Sequence, residues 1–186
     1  MNNNQYDEVR EYVKGRVGDD NKVQLLIFDF AILWNIYEKE LYATNHSISV
    51  IHDVLKELEF LDSDKENIDL LYWQLFDFLS RRGCTNSFGE IDYDNTCIYF
   101  NLRITKTDAD GNIIQKGEIS EYILKKIIKD KESIGRLNFM LIIVARVRNN
   151  LFHGLKDISL LKENENLFVI CNSVLKLILD VKKRMN

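Results

Sequence analysis

Along most of this 186-residue chain the apolar residues recur every three or four positions, the spacing of helices that bury one face. "YDEVREYVKGRV" predicts a short amphipathic helix ended near Gly15 or Gly18. "KVQLLIFDFAILWNIYEKELYA" is apolar nearly all round for several turns, which predicts a central helix packed on more than one side. "SISVIHDVLKELEFL" follows, with Ser47 or Ser49 as its N-cap. "DKENIDLLYWQLFDFLSRRG" carries Asp64 as candidate cap, Glu66 and Asp69 near its start, and Arg81 and Arg82 in the last turn before Gly83.

The period then changes. In "TCIYFNLRITK" the apolar residues Ile98, Phe100, Leu102 and Ile104 alternate with more polar ones, which predicts a half-buried strand. "DADGN" supplies a turn, and "IIQKG" returns as a second strand. Helical spacing resumes in "EISEYILKKIIKDK", "SIGRLNFMLIIVARVRNNLF" and "SLLKENENLFVICNSVLKLILDVKKRM". The chain has no proline, which suits long helices. The expectation is a mainly α fold: one helical-bundle domain over residues 1–186, with a small β-hairpin insertion at about 88–117.

Composition narrows this only slightly. Hydrophobic residues make up 46% and charged residues 29%, ordinary values for a globular domain. No apolar run approaches the ~18–20 residues that span a bilayer, so no membrane association is expected. The first residues lack the apolar core of a signal peptide, which makes the cytoplasm the expected location. Cys84, Cys97 and Cys171 lack metal-ligand spacing and are expected to be reduced; neither a metal nor another cofactor is implied. The net charge of −4 argues against a wholly basic nucleic-acid surface. Locally the balance reverses: between Glu132 and Asp157 there is no acid, while Arg136, Arg146, Arg148 and Lys156 all fall there.

The acid-free stretch ends in "RVRNNLFHGLK", residues 146–156. On a regular helix Asn149 and His153 share a face, whereas Arg148 and His153 point about 140° apart. Two arrangements bring the latter pair to one phosphate. The helix ends near Phe152, with Gly154 permitting the left-handed stop, or a second copy of the chain pools both pairs across a two-fold axis. A histidine near its ordinary pKa of about 6.5 can take or give a proton, and arginine offers a charged planar fork to phosphate oxygens. Together they suit attack by a ribose 2′-hydroxyl on the neighbouring phosphate, with no metal required. The plainer alternative is a helix end whose cations complement the dipole and whose His–Gly pair is only a cap.

"RNNLFHG", Arg148 to Gly154, resembles the signature of the HEPN superfamily (higher eukaryotes and prokaryotes nucleotide-binding domain). That signature is an Arg, an adjoining polar residue and, after a spacer of four to six residues, a His. Arg148, Asn149 and His153 fit it with four residues between Arg and His. The motif also precedes one long closing helix, and "WNIYE", Trp34 to Glu38, is similar to an early-helix feature of the family. The resemblance covers roughly residues 22–83 and 118–184 and leaves out the insert. It implies a HEPN-like bundle that forms a homodimer with two motifs in one cleft, and a metal-independent endoribonuclease leaving 2′,3′-cyclic phosphate and 5′-hydroxyl ends. Such domains serve in toxin–antitoxin and phage-defence systems, so RNA is the implied substrate and an antitoxin protein a candidate partner. Carried over, Arg148 stabilises the phosphate, His153 is acid or base, and Asn149 assists. Arg146, Asn150, Lys156, Asn35 and Glu38 are the expected substrate contacts. The alternative within the same fold is a non-catalytic nucleotide- or protein-binding dimerisation module.

Other polar residues are placed by spacing. Asn35 and Glu38 share a helix face with Tyr42 one turn on. An amide in so apolar a helix needs a partner, either in the Arg–His cleft or on a neighbouring helix. Asp29 is expected in structure or beside a cation, and His46 and His52 at the surface without partners. Tyr72, Trp73, Phe76 and Phe78 follow helical spacing and are expected in the core, not as a base-stacking platform.

Overall fold

A computed structural model describes residues 21–42, 51–108, 110–152 and 164–185. These form seven helices, 72% of the described residues, and a small three-stranded mixed sheet. In chain order the elements are α1 (Asn21–Leu41), α2 (Ile51–Lys56), α3 (Asp62–Arg81), α4 (Tyr93–Phe100), β1 (Ile104–Thr107), β2 (Ile113–Gln115), β3 (Ile119–Ser120), α5 (Glu121–Lys129), α6 (Ser133–Phe152) and α7 (Glu165–Met185). The expected N-terminal helix, the Ser47 and Ser49 caps and His46 lie outside the described residues.

The central helix is α6, not α1. Residues 137–147 are all buried, because α2, α3, α4, α5 and α7 each pack on part of its circumference. Each large side chain enclosed in this way contributes about 1.5–3 kcal/mol. α1 packs chiefly on α7, with Phe30 edge-on to Phe168; it buries Val23, Phe30, Trp34 and Tyr37, while Leu25, Phe28, Ile32 and Ile36 on its other face are exposed. Among the described residues, this apolar helix is therefore an outer element with one of its two apolar faces covered.

Local chemistry sets the boundaries. The α3 helix begins two residues before Asp64, which is its third residue and not its N-cap. From there the Asp64 carboxylate accepts the Leu61 N–H at 2.9 Å and also pairs with Arg184 near the end of α7. Gly83, at φ +71°, turns the chain out of α3 just past Arg81 and Arg82.

The insert departs most from expectation. The first half of the predicted strand is α4: Asp92 caps it by accepting the Asn95 N–H at 2.8 Å, and Asn101 ends it at φ +50°. Thr96 and Phe100, four apart, are its buried stripe, and Ile98 is exposed. Two strong helix-boundary residues outweighed a short alternation. The hairpin is thus shorter than expected, with β1 antiparallel to β2 through Lys106–Gln115 and Thr107–Ile113. The Asp108 carboxylate organises the turn by accepting the N–H groups of Asn112 (2.8 Å) and Asp110 (3.0 Å). β3 lies parallel to β1 on the other side, Ile104 opposite Ile119 and Thr105 opposite Ser120.

Candidate functional site

The last turns of α6 divide their polar residues between two sides. Arg146 and Asn150, four apart, face the insert, and both donate to the same backbone oxygen, that of Phe100, from Nε at 3.0 Å and Nδ2 at 3.2 Å. Arg146 also meets Glu118 at 3.4 Å. Its side chain is only 5% exposed. Burial pulls its guanidinium below the usual arginine range, and Glu118 opposes this. Arg146 and Asn150, expected at substrate, therefore have these donors engaged in fastening α6 to the end of α4 and to the insert. The residue type suits phosphate, and the face that Arg146 occupies is an internal one.

Arg148 falls about 200° round the helix from Arg146 and so looks the other way. It is half-buried. Its Nη1 donates to Asn149 Oδ1 at 3.2 Å, and its guanidinium carbon lies 5.7 Å from the centre of the Trp34 ring. That distance is within the ~6 Å at which an aromatic face attracts a cation. α6 is described to Phe152. His153, Gly154 and Lys156 lie outside the described residues.

The α1 side of this corner is aromatic. Trp34 packs on Tyr37 with ring centres 5.4 Å apart, and Tyr37 meets Tyr42 through hydroxyls 2.8 Å apart. Burial pushes the Tyr42 phenol up to about 12, against the opposing pull of the Tyr37 bond. Tyr37 is raised further, by burial first and then by Tyr42. Both are neutral at physiological pH, so they bring hydroxyl groups and no charge. Glu38, four residues after Trp34, shares its face and is half-buried. Asn35 is exposed instead, and its amide donates to the Ala31 carbonyl of its own helix at 2.7 Å. Neither expected partner, the cleft or a neighbouring helix, takes that bond. The Tyr37–Tyr42 pair escaped the sequence reading because residues five apart share no regular helix face.

Two further groups depart from expectation, the aromatic run in its burial and surface-exposed His52 in having a partner. Trp73 is 53% exposed, and the Arg136 guanidinium sits against it and Tyr72 while binding Asp69 at 2.8 Å. Only Phe78 of that aromatic run is fully buried; Tyr72 and Phe76 are partly so. His52 is exposed, yet its Nδ1 lies 3.3 Å from the Nδ2 of buried Asn138 on α6. Two of the cations in the acid-free stretch, Arg136 and Arg146, are thus met by acids from other elements.

Three grooves of about 450, 440 and 190 Å³ run along α7, against α3 or α1, and none of the three is lined by Arg148 or Asn149. Among the described residues no three His, Cys, Asp or Glu side chains gather in a metal-binding group. Cys84 and Cys171 are buried and Cys97 is half-buried, all three unbridged. No helix among the described residues is long and apolar enough to cross a membrane. Comparison of the chain with protein families, curated proteins and solved structures finds no match in any of the three.

Proposed function

We propose that this protein is a HEPN-type endoribonuclease acting in the cytoplasm, with RNA as substrate and a toxin or defence role. The reading is supported by one observation above the rest: Arg148 is held at the tip of a buried helix by Asn149 on one edge and the Trp34 ring beside it. A guanidinium restrained in this way keeps its planar fork in one orientation, which lowers the entropy lost when it grips a phosphate.

In this reading His153 takes the proton of a ribose 2′-hydroxyl, whose oxygen attacks the adjoining phosphorus. The bond to the 5′-oxygen breaks, and that oxygen leaves as a 5′-hydroxyl with the proton that the His153 imidazolium gives back. A 2′,3′-cyclic phosphate remains. Arg148 stabilises the charge that gathers on the non-bridging oxygens, and Asn149 orients its neighbours. Glu38 is half-buried on the face of α1 that carries Trp34 and is the acid this reading assigns to the substrate. A homodimer and an antitoxin partner belong to the same proposal.

The test is incubation of the full-length protein with labelled RNA in EDTA, followed by analysis of the product ends. Wild type is expected to give cyclic-phosphate ends, and His153→Ala and Arg148→Ala none. Equal cleavage by wild type and His153→Ala overturns the catalytic assignment. A wild-type protein that shifts RNA in a gel without cutting it replaces the nuclease with a binding module.

A further inference from the structure

The base of the insert gathers positive charge. Between Asp94 and Asp108, and again between Asp110 and Glu118, the sequence has no acid, while Arg103, Lys106 and Lys116 fall there. Folding sorts the three. Ile104 is buried, so Lys106, two residues on, takes the same side of β1, where its charge interacts with that of Glu121. Arg103, one residue before Ile104, points to the other side. It is exposed, and among the described residues no acid pairs with it.

The backbone beneath Arg103 is nonetheless fixed. Its carbonyl accepts the Glu118 N–H at 2.7 Å and the Ile119 N–H at 3.4 Å. Gly117 lies so close to that carbonyl that an added Cβ would run into it, which brings Lys116, one residue earlier, beside Arg103. Lys116 is also exposed and without an acid partner among the described residues. Glu118, the acid that follows, meets Arg146 at 3.4 Å. Burial lowers the Arg146 guanidinium, Glu118 opposes this, and the Arg103 charge adds to it. Two guanidinium groups thus stand within electrostatic reach of each other and of one carboxylate. An anion at Arg103 offsets the excess charge.

Position narrows the choice of anion. Phe100, three residues before Arg103, gives its carbonyl to both Arg146 and Asn150, so the insert is fastened to the tip of the helix that carries Arg148. Arg148 lies about 200° round that helix from Arg146, and a helix with its side chains is ~10–12 Å across. Arg103 and Arg148 are therefore set apart for different phosphates, as a strand passing the helix tip presents them. We infer that Arg103 and Lys116 form a second RNA-backbone subsite at the base of the insert, holding phosphates of the strand that is cut at Arg148 and His153. This rests on the nuclease reading and gives the insert a task within it. Cations of this kind position a strand without reading its bases, so the subsite selects for length and not for sequence.

Full-length Arg103→Ala/Lys116→Ala tests the subsite by cleavage, in EDTA, of an RNA of ~12 nucleotides and of a dinucleotide too short to reach it. On the longer RNA the variant is expected to raise KM about 10-fold with the effect confined to KM, so the preference for it over the dinucleotide shrinks by the same factor. The salt dependence of log KM should lose ~0.7 in slope for each phosphate contact removed. Lys106→Ala, from the other side of the same strand, is the control and is expected to match wild type. All variants should keep the wild-type circular dichroism spectrum, because the side chains removed are exposed. Fluorescence anisotropy with the same RNA separates the two readings. A wild type that binds RNA without cutting it, with the affinity lost in the double variant, fails the nuclease reading and leaves the subsite standing. Equal KM and equal affinity in variant and wild type overturn the inference, and an acidic protein becomes the class that fits the two cations. A wild type that binds no RNA overturns it too, as does an equal loss in Lys106→Ala, which would trace the effect to overall charge.

Discussion

Replacing Arg146 by Met separates the two roles that an arginine in this stretch can hold. Its Nε–H bond to the Phe100 carbonyl, at 3.0 Å, is charge-assisted and contributes about 1.5–3 kcal/mol. The contacts to Glu118, at 3.4 and 3.5 Å, are long, and the Glu118 side chain is 29% exposed, so they contribute under about 1 kcal/mol. The Phe100 carbonyl keeps its bond from Asn150, so no orphaned acceptor is added to the cost. Methionine also preserves much of the apolar stem packing. The expected loss is about 2 kcal/mol. Glu118→Ala costs a similar ~2 kcal/mol by leaving a buried guanidinium with its carbonyl partner but no counter-charge. The double variant should lose ~2 kcal/mol less than the two losses added, because Glu118→Ala is costly only while the guanidinium is there to be left without a counter-charge. Urea unfolding measures all three; at a slope of ~2 kcal/mol per molar, each single variant moves the midpoint down by about 1 M. RNA cleavage by folded Arg146→Met should remain near that of wild type. An unchanged midpoint with cleavage abolished would refute the argument, since Arg146 would then act on substrate and not on the fold.

Three further outcomes are expected. Arg148→Ala should lower kcat about 100- to 1000-fold and stability by no more than ~1 kcal/mol; Arg148→Lys should recover little, because a point charge lacks the planar fork. Unfolding free energy should be steady through neutral pH and fall as pH rises from about 10 toward 12. The unfolded chain loses its tyrosine protons first, so the stability linked to the raised phenols of Tyr37 and Tyr42 is present below the unfolded value of about 10 and lost through the Tyr42 value of about 12. Tyr37→Phe/Tyr42→Phe should flatten that decline in alkaline urea titrations. Gly117→Ala should cost about 1–3 kcal/mol, because an added Cβ runs into the backbone of Arg103 and Ile104; at ~2–4 °C per kcal/mol, a thermal melt detects it.

The amino-acid pattern alone determined the helical class, the position of most helices, and the turn and return strand of the hairpin. These depend on neighbours within a few residues: the Gly83 exit, the "DADGN" turn and the spacing of apolar residues. Tertiary structure decided what each face meets. An apolar position has the same periodicity whether the chain or another molecule covers it, so α1 and α6 could not be ranked as outer and central. A polar residue is likewise ambiguous until its face is known. Arg146 and Arg148 differ by two residues and about 200° of rotation, and that angle sends one into the insert and the other to Trp34. The Phe100 carbonyl, Glu118 and Trp34 are remote in sequence from both arginines. Only folding brings them within reach, and it is their positions that assign one cation to the frame and leave the other at the helix tip.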